Sequence, residues 1–552
     1  MIGVLANEEE HSVVREFFEL FKTPWEFYRS NSRYDVLICS KEPLEKSSAK
    51  LVLIYGVGKT AFGQEFRIEI LSQLSNAVLS YKGDRIPVYG RCFTFKGGPH
   101  VLVHEQTGEP AAVELASPEQ TFVCIGFDLF QEIRHLLTRG QPSTQARIAT
   151  LEMHIAAVRD LIVSHSLPLI EIPPVPAGYS FIVCLTHDVD HVGIRNHKCD
   201  HTMFGFLYRA IIGSLINFCV GRRSAGYLAA NWMAAFSLPF VHLGLVKDFW
   251  SRFDRYIDIE TGLNSTFFVI PKKGDPGRNA RGTAPAKRAA RYDVAEIKDQ
   301  VRRLISAGRE IALHGIDAWC DVAKGRTELE TIQRLTGKRE IGVRMHWLFF
   351  DENSPIKLEE AGFSYDSTVG YNDTVGYRAG TGQVFKPFAT TRMLELPMHI
   401  MDTALFYPTY MNLSPREAED LISDLISTAT RFGGTFTTNW HDRSIAPERL
   451  WGDVYQKLLD DLKKTGAWFA TAAQAVAWFG KRRSAEIECV TRKDDKVRVK
   501  VSIDQSSDVL PGLRIRVNKP LPKQAHLSGH AEYGNQFAEV ILNHSAEVEI
   551  AL

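Results

Sequence analysis

The spacing of hydrophobic and polar positions divides the 552-residue chain into regions of different periodicity. Residues 1–60 alternate short apolar runs with amphipathic stretches, and short strands around Gly/Pro turns follow over 86–126. This pattern predicts a small α/β domain over residues 1–170, whose role the sequence does not reveal. Four prolines then fall within Pro168–Gly178. They disfavour regular structure and indicate a linker.

Helix–Gly–strand units repeat from Tyr179 onward, which predicts a mainly parallel sheet, open or closed into a barrel, over residues 179–482. The segment 293–307 carries apolar residues at helical spacing and leads through a glycine into the strand EIALHG. The segment 416–432 repeats this plan before TFTTNWH. Beyond this region, KVRVKVSI, LRIRV and AEVEIAL alternate with period two. Residues 485–552 should therefore form a small antiparallel, β-sandwich-like domain.

The amino-acid composition excludes several classes of protein. Lys+Arg and Asp+Glu both number 65, so no global charge indicates a nucleic-acid partner. The eight cysteines are scattered without a C-x-x-C pair, which excludes a disulfide scaffold and a zinc-finger spacing. The N-terminal segment turns acidic within eight residues and lacks the pattern of a signal peptide. We therefore expect a bacterial, cytoplasmic protein.

An apolar insertion at about 200–250 interrupts the predicted barrel. Its part 224–246 contains no Asp, Glu, Lys or Arg over 23 positions, which is long enough for a membrane span. However, Asp190 before it and His314 after it should meet in one site, so a single span is excluded. We expect an insertion packed on the barrel, and peripheral contact of 203–246 with the inner face of a membrane remains open.

A basic loop follows at 272–291, with seven basic residues and one acidic residue. It is either a solvated, mobile loop or a clamp for a phosphate, a uronate or a lipid headgroup.

Polar residues stand at the ends of several predicted strands. The run Thr186-His187-Asp188-Val189-Asp190 closes an apolar strand, and Asp188 and Asp190 face the same side because strand residues alternate. Two neighbouring carboxylates in such a strand are costly unless a cation or a shared proton offsets their repulsion. Three other strand ends carry His314 with Asp317 three residues on, Arg344, and His441.

In a parallel α/β fold these strand ends meet at one edge, and oxygen and imidazole donors there suit a hydrolytic zinc-type site. Each residue also has a simpler interpretation. A single histidine at a strand end is more often only hydrogen-bonded, and Asp188 could cap the next turn.

The ordered motifs THDVD, STFF, EIALHG, RMHW and NWH resemble those of the NodB-type polysaccharide deacetylases, carbohydrate esterase family four, over about 179–480. The resemblance implies a distorted (β/α) barrel. It also implies one divalent metal ion, usually zinc, and hydrolysis of N- or O-acetyl groups on glycans.

Position by position, the resemblance implies a role for each strand-end residue. Asp188 looks like the general base, Asp190 and His314 look like metal ligands, and His441 looks like the general acid that protonates the leaving group. Arg344 resembles the arginine that holds the catalytic carboxylate. The residues expected to contact the substrate are Trp347, Trp440 and Arg378.

The sequence departs from the family pattern at the expected second histidine, where Ala318 stands. Asp317 is the nearest substitute and is taken as the third ligand, with His187, His191 and His346 as the other candidates. A site with two aspartates and one histidine would favour harder ions than zinc. Zinc is the expected metal, with manganese or cobalt as alternatives.

These inferences predict a metal-dependent hydrolase that removes N- or O-acetyl groups from a glycan or a lipid-linked polysaccharide precursor, with a carbohydrate substrate. Two alternatives remain open. The first is an amidohydrolase acting on a small C–N compound. The second is a catalytically inactive barrel that binds a glycan and, through 1–167 or 485–552, a partner protein.

Overall fold

The computed structural model describes residues 1–41, 48–57, 68–97, 101–117, 119–446, 449, 451–493, 496–504, 509–518 and 537–551. The chain forms two compact units. The first consists of Met1–Gly178, Ala379–Thr381 and Trp478–Leu552, and the second of Tyr179–Arg378 and Gly382–Ala477.

Among the described residues, the N-terminal part of the first unit contains two sheets and a further strand, Leu169–Glu171. Its strands are β1 (Ile2–Leu5), β2 (Trp25–Phe27), β3 (Val36–Cys39), β4 (Leu51–Tyr55), β5 (Ile70–Tyr81), β6 (Asp84–Phe95), β7 (Val103–His104), β8 (Ala112–Ala116), β9 (Thr121–Ile125) and β10 (Leu169–Glu171). One sheet has the order β2-β1-β3-β4-β9-β8, with only β8 antiparallel to its neighbour. The other is antiparallel, with the order β6-β5-β7.

The helices of this part are α1 (His11–Phe21), α2 (Leu129–Thr138) and α3 (Thr150–Ser164). Helix α1 buries Val13, Val14, Phe17 and Phe21 because their spacing places them on one face. The sequence predicted only short strands over 86–126. The structure instead forms β5 and β6, twelve residues each and paired along their length, because a hairpin extends the alternation on both sides of a tight turn.

The second unit contains a nine-stranded parallel sheet. The strands of this unit are β11 (Ile182–Val189), β12 (Ser265–Val269), β13 (Arg278–Asn279), β14 (Gly282–Thr283), β15 (Glu310–Gly315), β16 (Val343–Met345), β17 (Tyr365–Asp366), β18 (Leu394–Glu395), β19 (Ile400–Met401), β20 (Thr435–Asn439) and β21 (Trp468–Phe469). The sheet order is β18-β17-β16-β15-β12-β11-β20-β19, with β21 also paired to β11. This parallel order fits an α/β barrel. Strands β13 and β14 form a separate small hairpin.

Helices connect these strands. They are α4 (His201–Leu207), α5 (Ser214–Cys219), α6 (Ala225–His242), α7 (Phe253–Ile259), α8 (Lys298–Ser306), α9 (Val322–Thr336), α10 (Ser354–Ala361), α11 (Asp402–Phe406), α12 (Pro415–Phe432), α13 (Trp451–Lys464) and α14 (Ala472–Ser484), the last of which continues into the first unit. The local sequence sets their ends. Helix α12 begins with a capping box between Ser414 and Glu417 and ends before Gly433, whose φ is +77°.

The apolar insertion forms a helical hairpin, 201–246, whose last helix ends at His242. A single π-helical segment, Tyr208–Gly213, joins α4 to α5, and α6 returns after a short turn. Phe206, Ala210, Leu238 and Val241 pack in a core that also includes Trp250. Within the described residues, one helix, His201–Cys219, is long and apolar enough to cross a membrane by length and composition alone.

The C-terminal strands complete the first unit and correct two sequence expectations. They are β22 (Glu486–Lys493), β23 (Lys496–Ser502), β24 (Leu513–Asn518), β25 (Phe537–Leu542) and β26 (Ala546–Ala551), and part of the expected domain, 519–536, lies outside the described residues. They form antiparallel sheets of order β22-β23-β26 and β10-β24-β25. Strand β10 lies in the segment expected to be a linker. Its pairing with β24 makes the C-terminal strands part of the N-terminal unit rather than a domain of their own.

Candidate metal centre and catalytic site

The carboxyl ends of the central strands carry the polar residues singled out in the sequence. Asp188 lies near the end of β11 and Asp190 follows that strand. His314 lies in β15, Arg344 lies in β16, and His441 follows β20. Because these strands are parallel neighbours, their carboxyl ends bring the side chains to one edge of the sheet.

Three side chains form a group that could hold a metal ion. One ligand atom from each of Asp190, His314 and His346 lies within 4.8 Å of the others. The Oδ1 atom of Asp190 is 3.4 Å from Nε2 of His314 and 3.5 Å from Nε2 of His346. The Nδ1 atom of His314 lies 3.0 Å from the carbonyl oxygen of Arg344, and a proton donated there leaves Nε2 free as a ligand. One carboxylate and two imidazoles are a donor set typical of zinc and related ions.

The surroundings of this group favour a negative Asp190 and a neutral His346. Burial alone would raise the pKa of Asp190, but His346, His314 and His441 hold it well below its usual range. Burial lowers the pKa of His346 well below its ordinary value, helped by His314 and opposed by Asp190. The Oδ1 atom of Asp190 is buried without a hydrogen-bond partner among the described residues. Such an atom fits a metal ligand, since buried polar atoms without a partner are costly.

Asp317, expected as the third ligand, does not lie in this group, and His346 takes its place. The Asp317 carboxylate forms an ion pair with Lys324 and accepts a hydrogen bond from the backbone N–H of Arg278 at 2.7 Å. The second contact fixes the backbone of the basic loop. His346 reaches the site because it directly follows β16, next to the strand that carries His314.

Asp188 is fixed by hydrogen bonds to both of its carboxylate oxygens. Nη1 of Arg344 donates to Oδ1 at 3.0 Å, and Nδ2 of Asn439 donates to Oδ2 at 2.7 Å. Arg344 is fully buried and also donates to Ser367 and Thr186. A buried guanidinium with this many partners has a fixed orientation, so Arg344 acts as a positioning residue for Asp188.

His441 is paired with Asp402, a residue for which the sequence predicted no role. Its Nδ1 lies 2.6 Å from Oδ1 of Asp402, and its backbone N–H donates to Oδ2 at 2.8 Å. Burial alone would lower the pKa of His441, but Asp402, Asp190 and Asp188 raise it to about 10. Nε2 lies 3.7 Å from Oδ2 of Asp190 and so faces the metal group. The pair therefore presents a protonated imidazole at the edge of the site.

Removing the charge of Asp402 should release this proton. For Asp402→Asn in metal-free protein we expect the pKa of His441 to fall from about 10 toward its ordinary value of about 6.5. The raised pKa stabilises the folded state fully below the unfolded pKa, and this stabilisation is lost as the pH rises through about 10. The free energy of unfolding should therefore fall less between neutral pH and pH 10 in the variant than in the wild type. NMR titration of the imidazole measures the shift, with Asp373→Asn as an exposed control. An unchanged titration would contradict the pairing.

The three expected substrate contacts have different surroundings. Trp347 is partly buried, has a left-handed backbone conformation with φ +64°, and places its ring 5.9 Å from that of His346. Arg378 is half-buried and donates to the carbonyl of Gly370. Trp440 is fully buried and stacks on Tyr455 at 5.1 Å, so it belongs to the core and cannot meet a substrate arriving from solvent. Its position one residue after β20 turns it inward while His441 faces the site.

Two of the other candidate ligands also lie outside the metal group. His187 is buried, with Nε2 2.8 Å from Glu260 and Nδ1 2.8 Å from the carbonyl oxygen of Trp440. His191 places Nδ1 3.0 Å from Nε2 of His197.

The basic loop is partly structural. Among its residues Arg288 is buried and donates to the carbonyl oxygens of Ile316 and His346, at 3.0 and 2.8 Å. Arg288 therefore holds the backbone of His346 in place. Because its guanidinium is buried and hydrogen-bonded to the backbone, it is not available to bind an anion. Lys287 lies over the ring of Trp347 at 5.7 Å. Such a contact is consistent with a weak cation–π interaction beside the site.

Asp402, Asn439 and Arg288 contact residues of the candidate site and were not predicted from the sequence. A signal existed for Asp402, because it directly follows the short apolar strand β19, as the other site residues follow theirs. Asn439 stands at the end of β20, two residues before His441. Arg288 gave no such signal, since it lies in a loop with six other basic residues.

The second unit therefore combines a parallel sheet that fits an α/β barrel with an Asp-His-His group that could hold a metal ion and an adjacent His–Asp pair. No family model matches the sequence, and no curated protein matches it either.

Several solved structures are similar to this chain at low identity. One is a protein assigned as a polysaccharide deacetylase from Mycobacterium smegmatis, 19% identical, with 59% of this chain and 100% of that chain covered and a TM-score of 0.34. Puue allantoinase is 15% identical, with 55% and 92% covered and a TM-score of 0.33. A protein assigned as a polysaccharide deacetylase from Pseudomonas aeruginosa PAO1 is 16% identical, with 58% and 96% covered and a TM-score of 0.34. At such values the function has to be argued from the side chains of the site.

Proposed function

We propose that this chain is a metal-dependent hydrolase that removes N- or O-acetyl groups from a glycan or a lipid-linked polysaccharide precursor. The observation that carries the proposal is the convergence of three candidate ligands with an acid and a base. Asp190, His314 and His346 would hold one divalent ion. Zinc fits this donor set best, with manganese or cobalt as alternatives.

When bound, a divalent ion supplies Lewis acidity that polarises an acyl carbonyl and acidifies water. The remaining chemistry belongs to the chain. Asp188 is the general base and accepts the proton of the attacking water. Its two hydrogen bonds, from Arg344 and Asn439, keep the carboxylate in one orientation.

His441 is the general acid. Its Nε2 faces the metal group, and Asp402 holds Nδ1 so that the second proton stays on the imidazole. This proton goes to the departing nitrogen or oxygen as the bond to the acyl carbon breaks. A residue with a pKa of about 10 remains protonated at neutral pH and is ready to donate.

The choice of a glycan substrate is supported by the ordered motifs of the sequence and by the aromatic ring of Trp347 next to the metal group. Trp347 and Arg378 are the proposed substrate contacts. The choice of a lipid-linked precursor is supported by the apolar insertion in the same unit.

The experiment that tests this function joins elemental analysis of purified protein to acetate release from acetylated oligosaccharides. About one divalent ion per chain is expected, as for a single site with three protein ligands. The ion and acetate release should both be lost in Asp190→Ala and in His314→Ala. Protein that remains metal-free after incubation with zinc, manganese and cobalt would overturn the proposal. Metal-loaded protein that releases no acetate would overturn the substrate assignment.

A further inference from the structure

We propose that the helical hairpin 201–246 is a docking surface for an anionic phospholipid bilayer, on which it lies without spanning. The proposal rests on the exposed apolar side chains and the basic residues of the hairpin, so it holds or fails independently of the hydrolase assignment.

The hairpin exposes apolar side chains far beyond what a surface helix needs. Of the 22 large hydrophobic side chains exposed among the described residues, 15 lie in 204–246. Phe236 is 76% exposed, Leu243 73% and Met233 71%. Only 17% of the helix His201–Cys219 is buried. A concentrated apolar patch of this kind marks an interaction site, whereas single exposed hydrophobic residues do not.

The exposed residues follow helical spacing. On the first arm they recur at intervals of three and four positions, as one face of a helix: Phe204, Tyr208, Ile211, Ile212, Leu215 and Ile216. The opposite, narrow stripe of Phe206, Ala210 and Ser214 is the buried one. The wide apolar face therefore points away from the protein core, the reverse of the arrangement in an ordinary soluble helix.

The charged residues of the hairpin indicate which partner binds its apolar surface. From His201 to Lys247 the chain contains no Asp or Glu, while it contains Arg209, Arg222, Arg223 and Lys247. The flanking acids are used at the base of the hairpin, where Asp200 caps α4 and Asp248 accepts from backbone N–H groups at Ile194 and Arg195. Apolar surface combined with an excess of positive charge fits anionic lipid headgroups above acyl chains. A second copy of this chain would bring the same positive charges face to face.

The same charges argue against spanning. Arg222 and Arg223 stand at the turn between the arms and Arg209 is exposed midway along the first arm. A hairpin inserted across the bilayer would carry them through its interior, which is costly. A hairpin that lies in the interface leaves them among the headgroups.

Docking places the candidate active site close to the membrane. Trp250 belongs to the core that holds the hairpin, and the guanidinium of Arg443 lies over its ring at 4.9 Å. Arg443 follows His441 by two residues. If the proposed hydrolase function holds, a membrane-tethered glycan would therefore meet the site without leaving the bilayer.

Vesicle flotation tests the apolar part of the proposal. Full-length protein should float with vesicles of phosphatidylcholine and phosphatidylglycerol, and less with phosphatidylcholine alone. Ile212→Glu and Phe236→Glu should each lower the partition coefficient at least about fivefold, because a buried charge replaces apolar contact at the interface. The matched control is Ile541→Glu, at a side chain 57% exposed outside the hairpin, which should float as the wild type does. Circular dichroism melting identifies any variant that has failed to fold.

A second pair of variants tests the contribution of the basic residues to membrane binding. Arg222→Gln with Arg223→Gln should weaken binding to the anionic vesicles about tenfold, and added salt should weaken wild-type binding in the same way. Lys298→Gln with Arg302→Gln, two exposed positions on α8, should have no effect.

Fluorescence locates the hairpin in the bilayer. Lipids with brominated acyl chains should quench tryptophan emission in wild-type protein, and Trp232→Phe should remove most of this quenching. Trp347→Phe should not. Absence of flotation by folded wild-type protein would overturn the proposal. So would a dimer in analytical ultracentrifugation that Phe236→Glu dissociates and that does not bind vesicles, because the occupant would then be a second copy.

Discussion

His346→Ala is expected to abolish stable metal binding, with a loss of affinity above the roughly 10- to 100-fold seen when only a neighbour of a ligand is removed. The imidazole is buried, its Nε2 lies 3.5 Å from Asp190, and no other histidine of the described chain completes the group with Asp190 and His314. Metal content after dialysis and competition with a chelating dye measure the affinity. Acetate release should fall with it.

Asp317→Asn is the matched control for this ligand assignment. The amide introduced by this substitution would keep an oxygen acceptor for the backbone N–H of Arg278. It would remove the ion pair with Lys324 and the negative charge that Asp317 places near the buried Arg288. We expect metal affinity within about threefold of the wild type, because the Asp317 carboxylate contacts Lys324 and the backbone of Arg278 rather than a candidate ligand, and losses of roughly 10-fold or more are typical of partners of a ligand. If instead Asp317→Asn loses the metal and His346→Ala keeps it, the ligand set predicted from sequence was right and the one assigned here is wrong.

Asp188→Asn should retain the metal and lose turnover at least about a hundredfold, within the usual range for a general base. The substitution preserves the shape of the side chain but removes its ability to accept the proton of water. It also removes the partner of a buried guanidinium, so some loss of folding stability is expected. Turnover is measured per metal-loaded site, below the melting temperature of the variant.

Two further results would decide the role of Asp188. Asp317→Asn should again behave as the wild type. Full turnover in folded, metal-loaded Asp188→Asn would remove Asp188 from the role of base.

Several elements of the fold could be predicted from sequence because each depends on local periodicity. The strands β1, β3, β12 and β15 coincide with apolar runs, and the helix–Gly–strand units of α8 and α12 end where glycine follows. Burial patterns along a single element require no knowledge of distant residues.

Pairing between distant segments could not be predicted in this way. The proline-rich segment before residue 179 supplies β10, which pairs with β24 more than 300 residues later. Prolines in that segment favour extended backbone, and an extended backbone can serve as a linker or as an edge strand. Only the presence of a partner strand distinguishes the two.

For the candidate site, the sequence by itself predicted at which strand ends its residues lie. Asp188, Asp190, His314, Arg344 and His441 each follow or close an apolar strand, and parallel strands bring such ends together. The tertiary structure decided which of the neighbouring polar residues turn toward the site. His346 faces it because Arg288 and the end of β16 hold its backbone, while Asp317 turns to Lys324 and Trp440 turns into the core. The spacing of these residues along the chain allows a side chain to point either toward the site or away from it. The direction is decided by the hydrogen-bond and ion-pair partners that satisfy each buried polar group, and these partners are often far away in the sequence.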